Sequence, residues 1–234
     1  MSHVFGPVPS RRPGRSLGVN LLQSGPYGVV ACGTLRREIR LLADTGLLDG
    51  DRVFFTAPGL HEWPKQLAKQ LGRQVGKALE VAEKVIVAYG EKCYMDLDTA
   101  ADTDVFLGAF GENVARVGAK NCVDMLADAE ERARIAGGAK VYWLTSGWLE
   151  HWDYIFKDWD PAKANETFPA NDKAVVLDAV GYFDEMTETA PEKILQISDW
   201  MKLDLERHPA SLERLKRLLC ECAQRLEDRC DAHV

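Results

Sequence analysis

The sequence predicts an α/β protein with a mostly parallel, Rossmann-like sheet, flanking helices and a helical C-terminal extension. Short apolar runs recur at residues 28–32 (GVVAC), 52–56 (RVFFT), 85–89 (VIVAY), 141–145 (VYWLT) and 174–179 (AVVLDA). Between several of them lie longer stretches whose apolar residues follow the three-four spacing of helices. That alternation calls for parallel strands joined by right-handed crossovers. A third observation is length: 234 residues bury one substantial core, so a single α/β domain with an appendage is expected. The expected boundaries are an N-terminal arm over 1–27, the α/β domain over 28–188 and the helical extension over 189–234.

Each element follows from its residues. The run at 28–32 is the first strand, and Leu35, Ile39, Leu42 and Ala43 then make a helical stripe. The run at 52–56 is the second strand, closed by Pro58-Gly59. A long helix starts at Pro64 and carries Leu67, Leu71, Val75, Leu79 and Ala82 on one face. The run at 85–89 is the third strand, ending at Gly90. Residues 105–110 and 114–117 compete to be the fourth. Asn121 is placed to cap a helix through Cys122, Leu126, Ala129 and Ala133, stopped by Gly137-Gly138. Runs 141–145 and 174–179 follow, the latter expected to be the last strand. Beyond Pro191 the pattern reads as wholly helical, with Leu212, Leu215, Leu219, Cys222 and Leu226 on one face, packed on the body or on a second subunit. A homo-oligomer is therefore one expectation.

Composition excludes some classes. Net charge is −7, which argues against a nucleic-acid partner, since phosphate affinity needs clustered Lys and Arg. The basic cluster at Arg11, Arg12 and Arg15 is a local exception that could contact an anion. No apolar run approaches the roughly 20 residues of a membrane span, and no signal-peptide pattern is present. The expectation is a cytoplasmic protein without a membrane partner. Six cysteines in such a chain suggest thiols, metal ligands or packing residues before disulfides.

Cys32, Cys93 and Cys122 each sit where an apolar run gives way to a loop or helix. In an open α/β sheet that is the carboxyl edge of the strands, where ligands bind. A helix start at Cys122 would lower its pKa through the helix dipole and free amides. Three thiolates with one open position suit catalytic zinc, and they could equally hold an iron–sulfur cluster with one exposed iron. The competing account makes them small buried hydrophobes. His61, after the second strand, faces the same edge and is the candidate catalytic or ligating imidazole. His151 is a lesser candidate, while Cys220, Cys222 and Cys230 look like a second cluster but, with no partner His or CxxC pair nearby, read better as packing residues.

Trp143, Trp148, Trp152, Tyr154, Phe156 and Trp159 crowd one stretch. With Glu150, Asp153 and Asp158 nearby they could cage a cation. Helical spacing of Trp148, Trp152, Ile155 and Trp159 instead makes most of them core. Trp148, next to a strand end, and Glu150 are the candidate substrate-binding residues.

The order of ACGTL, the LH turn, the strand ending in YG with a following cysteine, a further cysteine at 122 and YWLTSGWLE resembles a bacterial and archaeal family known as a domain of unknown function. The resemblance covers about residues 29–160. Its members often accompany corrinoid-dependent methyltransferases for methylamines and betaines. The resemblance equates Cys32, Cys93 and Cys122 with the family's recurrent cysteines and His61 with its LH histidine. Two departures fall at this site: Gly90-Glu91-Lys92-Cys93 is one residue longer than the family's YGxCG, and Lys120-Asn121-Cys122 replaces His-Asp-Cys. Residues 4–22 resemble the opening of radical S-adenosylmethionine proteins, but the CxxxCxxC cluster motif is absent and no radical chemistry carries over. The resemblance implies a zinc or iron–sulfur enzyme, or enzyme component, of one-carbon metabolism. Its partners would be a small-molecule substrate and a corrinoid protein or methyltransferase. The alternative expectation is a non-catalytic protein that binds methylated amines.

Overall fold

The computed structural model describes residues 19–96 and 98–231, with backbone alone at 19–21, 161, 230 and 231. The short helix α1 (Val19–Ser24) leads into β1 (Tyr27–Ala31), followed by α2 (Arg36–Asp44), β2 (Val53–Phe55), α3 (Pro64–Val81) and β3 (Lys84–Ala88). A small hairpin, β4 (Met95–Asp96) with β5 (Ala101–Asp102), precedes α4 (Thr103–Gly108) and β6 (Val114–Arg116). Next come α5 (Cys122–Leu126), α6 (Ala129–Ala136), β7 (Val141–Thr145), α7 (Ser146–Glu150), α8 (Trp152–Ile155) and α9 (Pro161–Thr167). The chain continues through β8 (Lys173–Asp178), α10 (Tyr182–Thr189), α11 (Pro191–Met201), β9 (Leu205–Pro209) and α12 (Glu213–Asp231).

The predicted α/β class and parallel pairing hold, but the strands form two parallel sheets. One has the order β2-β1-β3-β6 and the other β7-β8-β9. The first is covered on both faces, which explains its unbroken apolar strands. Val29, Ala31, Ile86 and Ala88 pack with Ile39 and Leu42 of α2 and Leu215, Leu219 and Leu226 of α12. Their neighbours Val30, Val85 and Val87 pack with Leu67, Leu71 and Val75 of α3. Each fully buried Val, Leu or Ile among them contributes about 1.5–3 kcal/mol. Leu177 of β8 belongs to the first of these cores, so the second sheet shares hydrophobic packing with the first. Lys84 ties α12 to the sheet through Glu227 at 2.6 Å, and the Tyr27 hydroxyl also donates to Glu227.

One open choice is settled and three expectations change. The fourth strand is at Val114–Arg116, whereas 105–110 falls mostly in α4, because the Asp102 carboxylate caps that helix by accepting from Val105 N at 2.9 Å. The helix begun at Asn121 is two helices, since Ala127 is extended and Asp128 caps α6 through Glu131 N. The segment after Pro191 is not wholly helical: Lys202, at φ 56°, ends α11, and Leu205–Pro209 adds to β8 as a further strand. That strand, LERHP, lies half exposed and lacks an apolar alternation. Trp148, Trp152, Ile155 and Trp159 do not share one helix, because the backbone turns at His151 between α7 and α8. The proposed motif at 4–22 and the basic cluster lie almost wholly outside the described residues, as does His233.

Among the described residues, no helix is long and apolar enough to cross a membrane.

Candidate functional site

In the first sheet, α2 and α3 carry the chain to opposite sides of β1, giving the order β2-β1-β3. The carboxyl ends of β1 and β3 therefore flank a topological switch point, the usual crevice for a ligand in an open parallel sheet. Cys32 follows β1, and Cys93 lies in the turn after β3. Cys122 opens α5, reached through the loop after β6.

All three cysteines line one small cavity of about 20 Å³, together with Thr34, Leu60, His61, Tyr89, Met125 and Trp148. Convergence of Cys32, Cys93, Cys122 and His61 is thus present. Among the described residues, however, no group of three His, Cys, Asp or Glu side chains is arranged to hold a metal ion as it stands.

Local contacts explain the convergence. Gly90 must be glycine, because a Cβ there would lie 2.3 Å from the Lys120 carbonyl. That close approach, with Glu91 N donating to Ala119 O and Lys92 N to Lys120 O, clamps the Cys93 turn to the Cys122 loop. Thr103 Oγ1 donates to the carbonyls of Gly90 and Glu91 and pins the same turn from the other side. Asn121 caps α5 through Asp124 N at 2.9 Å, as its sequence position predicts.

The electrostatics reverse one expectation. Burial and the neighbouring Cys32 push the Cys122 thiol up to about 11, outweighing the helix start and the opposing influence of the nearby Trp148 and Thr34 side chains. Burial also pushes Cys93 up, reinforced by Cys122 and Cys32. Each of the three residues is partly accessible, and charge on a neighbouring sulfur discourages ionisation of Cys93 and of Cys122. Thr34 Oγ1 donates to the Cys32 sulfur at 3.1 Å. The buried Tyr89 hydroxyl pairs with Thr56, and burial and the Cys32 sulfur raise its pKa well above the usual tyrosine value.

His61 stands at the mouth, its side chain 39% exposed, with its ring centroid 5.4 Å from that of Trp148. Desolvation lowers its pKa, with Glu62 opposing. The imidazole is consequently neutral at neutral pH and able to accept a proton or ligate. Trp148 is buried against the cavity, and its Nε1 has no well-formed hydrogen bond among the described residues. Glu150 is not in the cavity. It pairs with Arg37 at 3.2 Å, near His151.

Most of the other aromatic rings are core. Trp152, Phe156, Trp159, Phe168 and Trp200 stack and tilt against one another over the second sheet. Lysines already occupy two candidate cation positions: Lys163 sits over Trp159 and Lys157 over Tyr154. Cys222 is buried in the α12 stripe, its thiol 3.4 Å from the Ala115 carbonyl, as a packing role predicts.

Thr34, Tyr89 and Met125 are cavity residues that the sequence reading missed. Thr34 was visible beside Cys32 in ACGTL, and Tyr89 as the last residue of an apolar run. Nothing in the spacing of Met125 singles it out.

No curated protein and no solved structure matches the chain. A family model described as a protein of unknown function, DUF1638, matches residues 55–219. The match runs from the last residue of β2 into the first two turns of α12, and so includes His61, Cys93, Cys122, Trp148 and Glu150, while Cys32 lies outside it. With well over half its length matched, and with the second sheet inside the match, the chain belongs to the DUF1638 family.

Proposed function

We propose that this protein binds a single thiophilic metal ion, zinc before an iron–sulfur cluster, through Cys32, Cys93 and Cys122. His61 stands ready as a further ligand or proton acceptor. The observation that carries this reading is the shared cavity: three cysteines from three strand ends and one imidazole face about 20 Å³. That space suits one atom-sized guest, since a single water needs roughly 10–15 Å³. A cluster of several iron and sulfur atoms needs far more.

Binding requires the thiols to rotate and lose protons, because the side chains as they stand do not form a coordination set. A cation supplies what Cys93 and Cys122 lack. It offsets the burial, and after it the repulsion between neighbouring thiolates, that holds them protonated. Such an ion, when bound, supplies Lewis acidity at whatever position the protein leaves open. Thr34 steadies the Cys32 sulfur, Trp148 Nε1 favours the charged form of Cys122, and Trp148 and Leu60 exclude water.

A role in corrinoid-linked methyl transfer, with a small-molecule substrate and a methyltransferase or corrinoid partner, rests on the sequence resemblance alone. Within it, thiol or water activation is the chemistry that three thiolates and a neutral imidazole fit. The methylated-amine binder has less support, because Glu150 lies apart from Trp148's cavity and lysines stand over the exposed ring faces.

Elemental analysis of anaerobically purified full-length protein tests the reading. About one zinc per chain is expected, lost in Cys32→Ser, Cys93→Ser and Cys122→Ser variants that still fold. Protein that takes up neither zinc nor iron would remove it. Iron with matching sulfide would replace the single ion by a cluster.

A further inference from the structure

A large cleft among the described residues lies away from the thiols, beside β6 and α12. It has a volume of about 790 Å³ and is lined by Arg116, Arg225 and Arg229, with Leu107, Val114 and Ala115 on its apolar side. That volume lies within the ordinary range of small-molecule sites.

The charges here differ from those elsewhere on α12. Arg214 pairs with Asp124 and Asp128, Lys216 with Glu213, and Arg217 with Glu221. Arg225 and Arg229, one turn apart, have no carboxylate partner among the described residues, although the chain as a whole carries −7. Arg225 is held over the sheet edge by donating to the Arg116 carbonyl at 2.8 Å. Arg116 is fixed by the carbonyls of Val117 and Ala119 and by Asp104 at 2.6 Å, which leaves its buried Nε without a partner. Glu112 also lines the cleft. Gly108, Gly111 and Gly118 border it with open space where a side chain would begin, so a ligand can approach the backbone.

We propose that this cleft binds a small phosphorylated molecule, with Arg225 and Arg229 gripping the phosphate and Arg116 Nε a third donor. Guanidinium forks match phosphate and carboxylate alike. Three separate guanidiniums match the three terminal oxygens of a phosphate better than the two oxygens of a carboxylate. The apolar wall at Leu107 and Val114 then takes the organic part. This site is independent of the thiol reading.

Calorimetric titration of the full chain with inorganic pyrophosphate at low ionic strength, with citrate in parallel, tests the proposal. Pyrophosphate is expected to bind once per chain and more tightly than citrate. The Arg225→Gln/Arg229→Gln double variant should bind about 100-fold more weakly, about tenfold for each charge-assisted contact. Arg217→Gln, on the same helix but outside the cleft, should bind as the native protein does, and so should Cys122→Ser. Absence of binding, equal binding by the double variant, or a preference for citrate would overturn it.

Discussion

The Thr34 carbonyl lies 2.2 Å from the point where a Cβ on Gly147 would sit, and Thr145 Oγ1 donates to that same carbonyl at 3.2 Å. Thr34 follows β1 in the first sheet and Gly147 follows β7 in the second, so this contact joins the carboxyl ends of the two sheets. Cys32 and Trp148, the residues next to this joint, both line the thiol cavity. Backbone proximity of this kind tolerates glycine alone.

Gly147→Ala should therefore force the joint apart. Overpacking a tight site costs about 1–3 kcal/mol, and here the obstacle is rigid backbone. Chemical denaturation should show the loss, together with faster labelling of Cys32. A variant as stable as the native protein would mean that the sheets are not held together at this point.

Glu38 makes folding pH-dependent. It is fully buried, neither carboxylate oxygen has a well-formed hydrogen bond, and burial with Asp178 and Glu150 nearby raises its pKa from 4.5 to about 7. The Ser146 hydroxyl, which favours its charged form, donates to Asp178 at 3.0 Å. A raised carboxyl pKa means that the folded state holds the proton more tightly than the unfolded chain. Its stabilising contribution is complete below about 4.5 and is lost as pH rises through about 7. The full swing is about 3 kcal/mol. Urea denaturation at several pH values should show this slope in the native protein and its absence in Glu38→Gln, which should be the more stable form at pH 8. Parallel slopes in the two proteins would refute the assignment.

Thiol labelling reports the cavity directly. With Cys122 raised from 9.0 to about 11, its thiolate fraction at pH 8 is about 100-fold below that of an unfolded cysteine. Iodoacetamide pulses read by mass spectrometry should modify Cys93 and Cys122 slowly in the folded metal-free protein and quickly in urea. Cys222, pushed up to about 11 by burial in α12, should behave likewise. Rapid folded-state labelling of Cys122 would show that burial does not control it.

His61 should titrate below its ordinary 6.5, since desolvation at the cavity mouth outweighs Glu62. An NMR titration of the imidazole resonances checks this. Glu62→Gln removes the charge that favours the imidazolium and should lower the midpoint further. A midpoint above 6.5 in the native protein would make Glu62 the dominant influence instead.

Local pattern carried most of the elements and the choice of cysteines. Strands buried on both faces read as continuous apolar runs, so β1, β3 and β8 were legible, as were the stripes of α3 and α12. β9 was not, because a half-exposed edge strand holding Arg207 against Asp178 and Asp184 has no apolar signature. The break at Ala127 was hidden because a helical stripe continues across it, while the Asp128 cap that restarts the helix is a single residue. Cys122's raised pKa was equally hidden, since burial by distant segments outweighs a local helix start.

The sequence by itself determined that strand ends would carry thiols, because periodicity and turn chemistry are local properties of neighbouring residues. Tertiary structure alone decided that those thiols share a cavity, that burial raises the pKa of Cys93 and Cys122, and that Glu150 belongs elsewhere. Strand order, the glycine contacts at Gly90 and Gly147 and the meeting of two sheets bring together residues far apart in the chain, and no local pattern encodes such meetings.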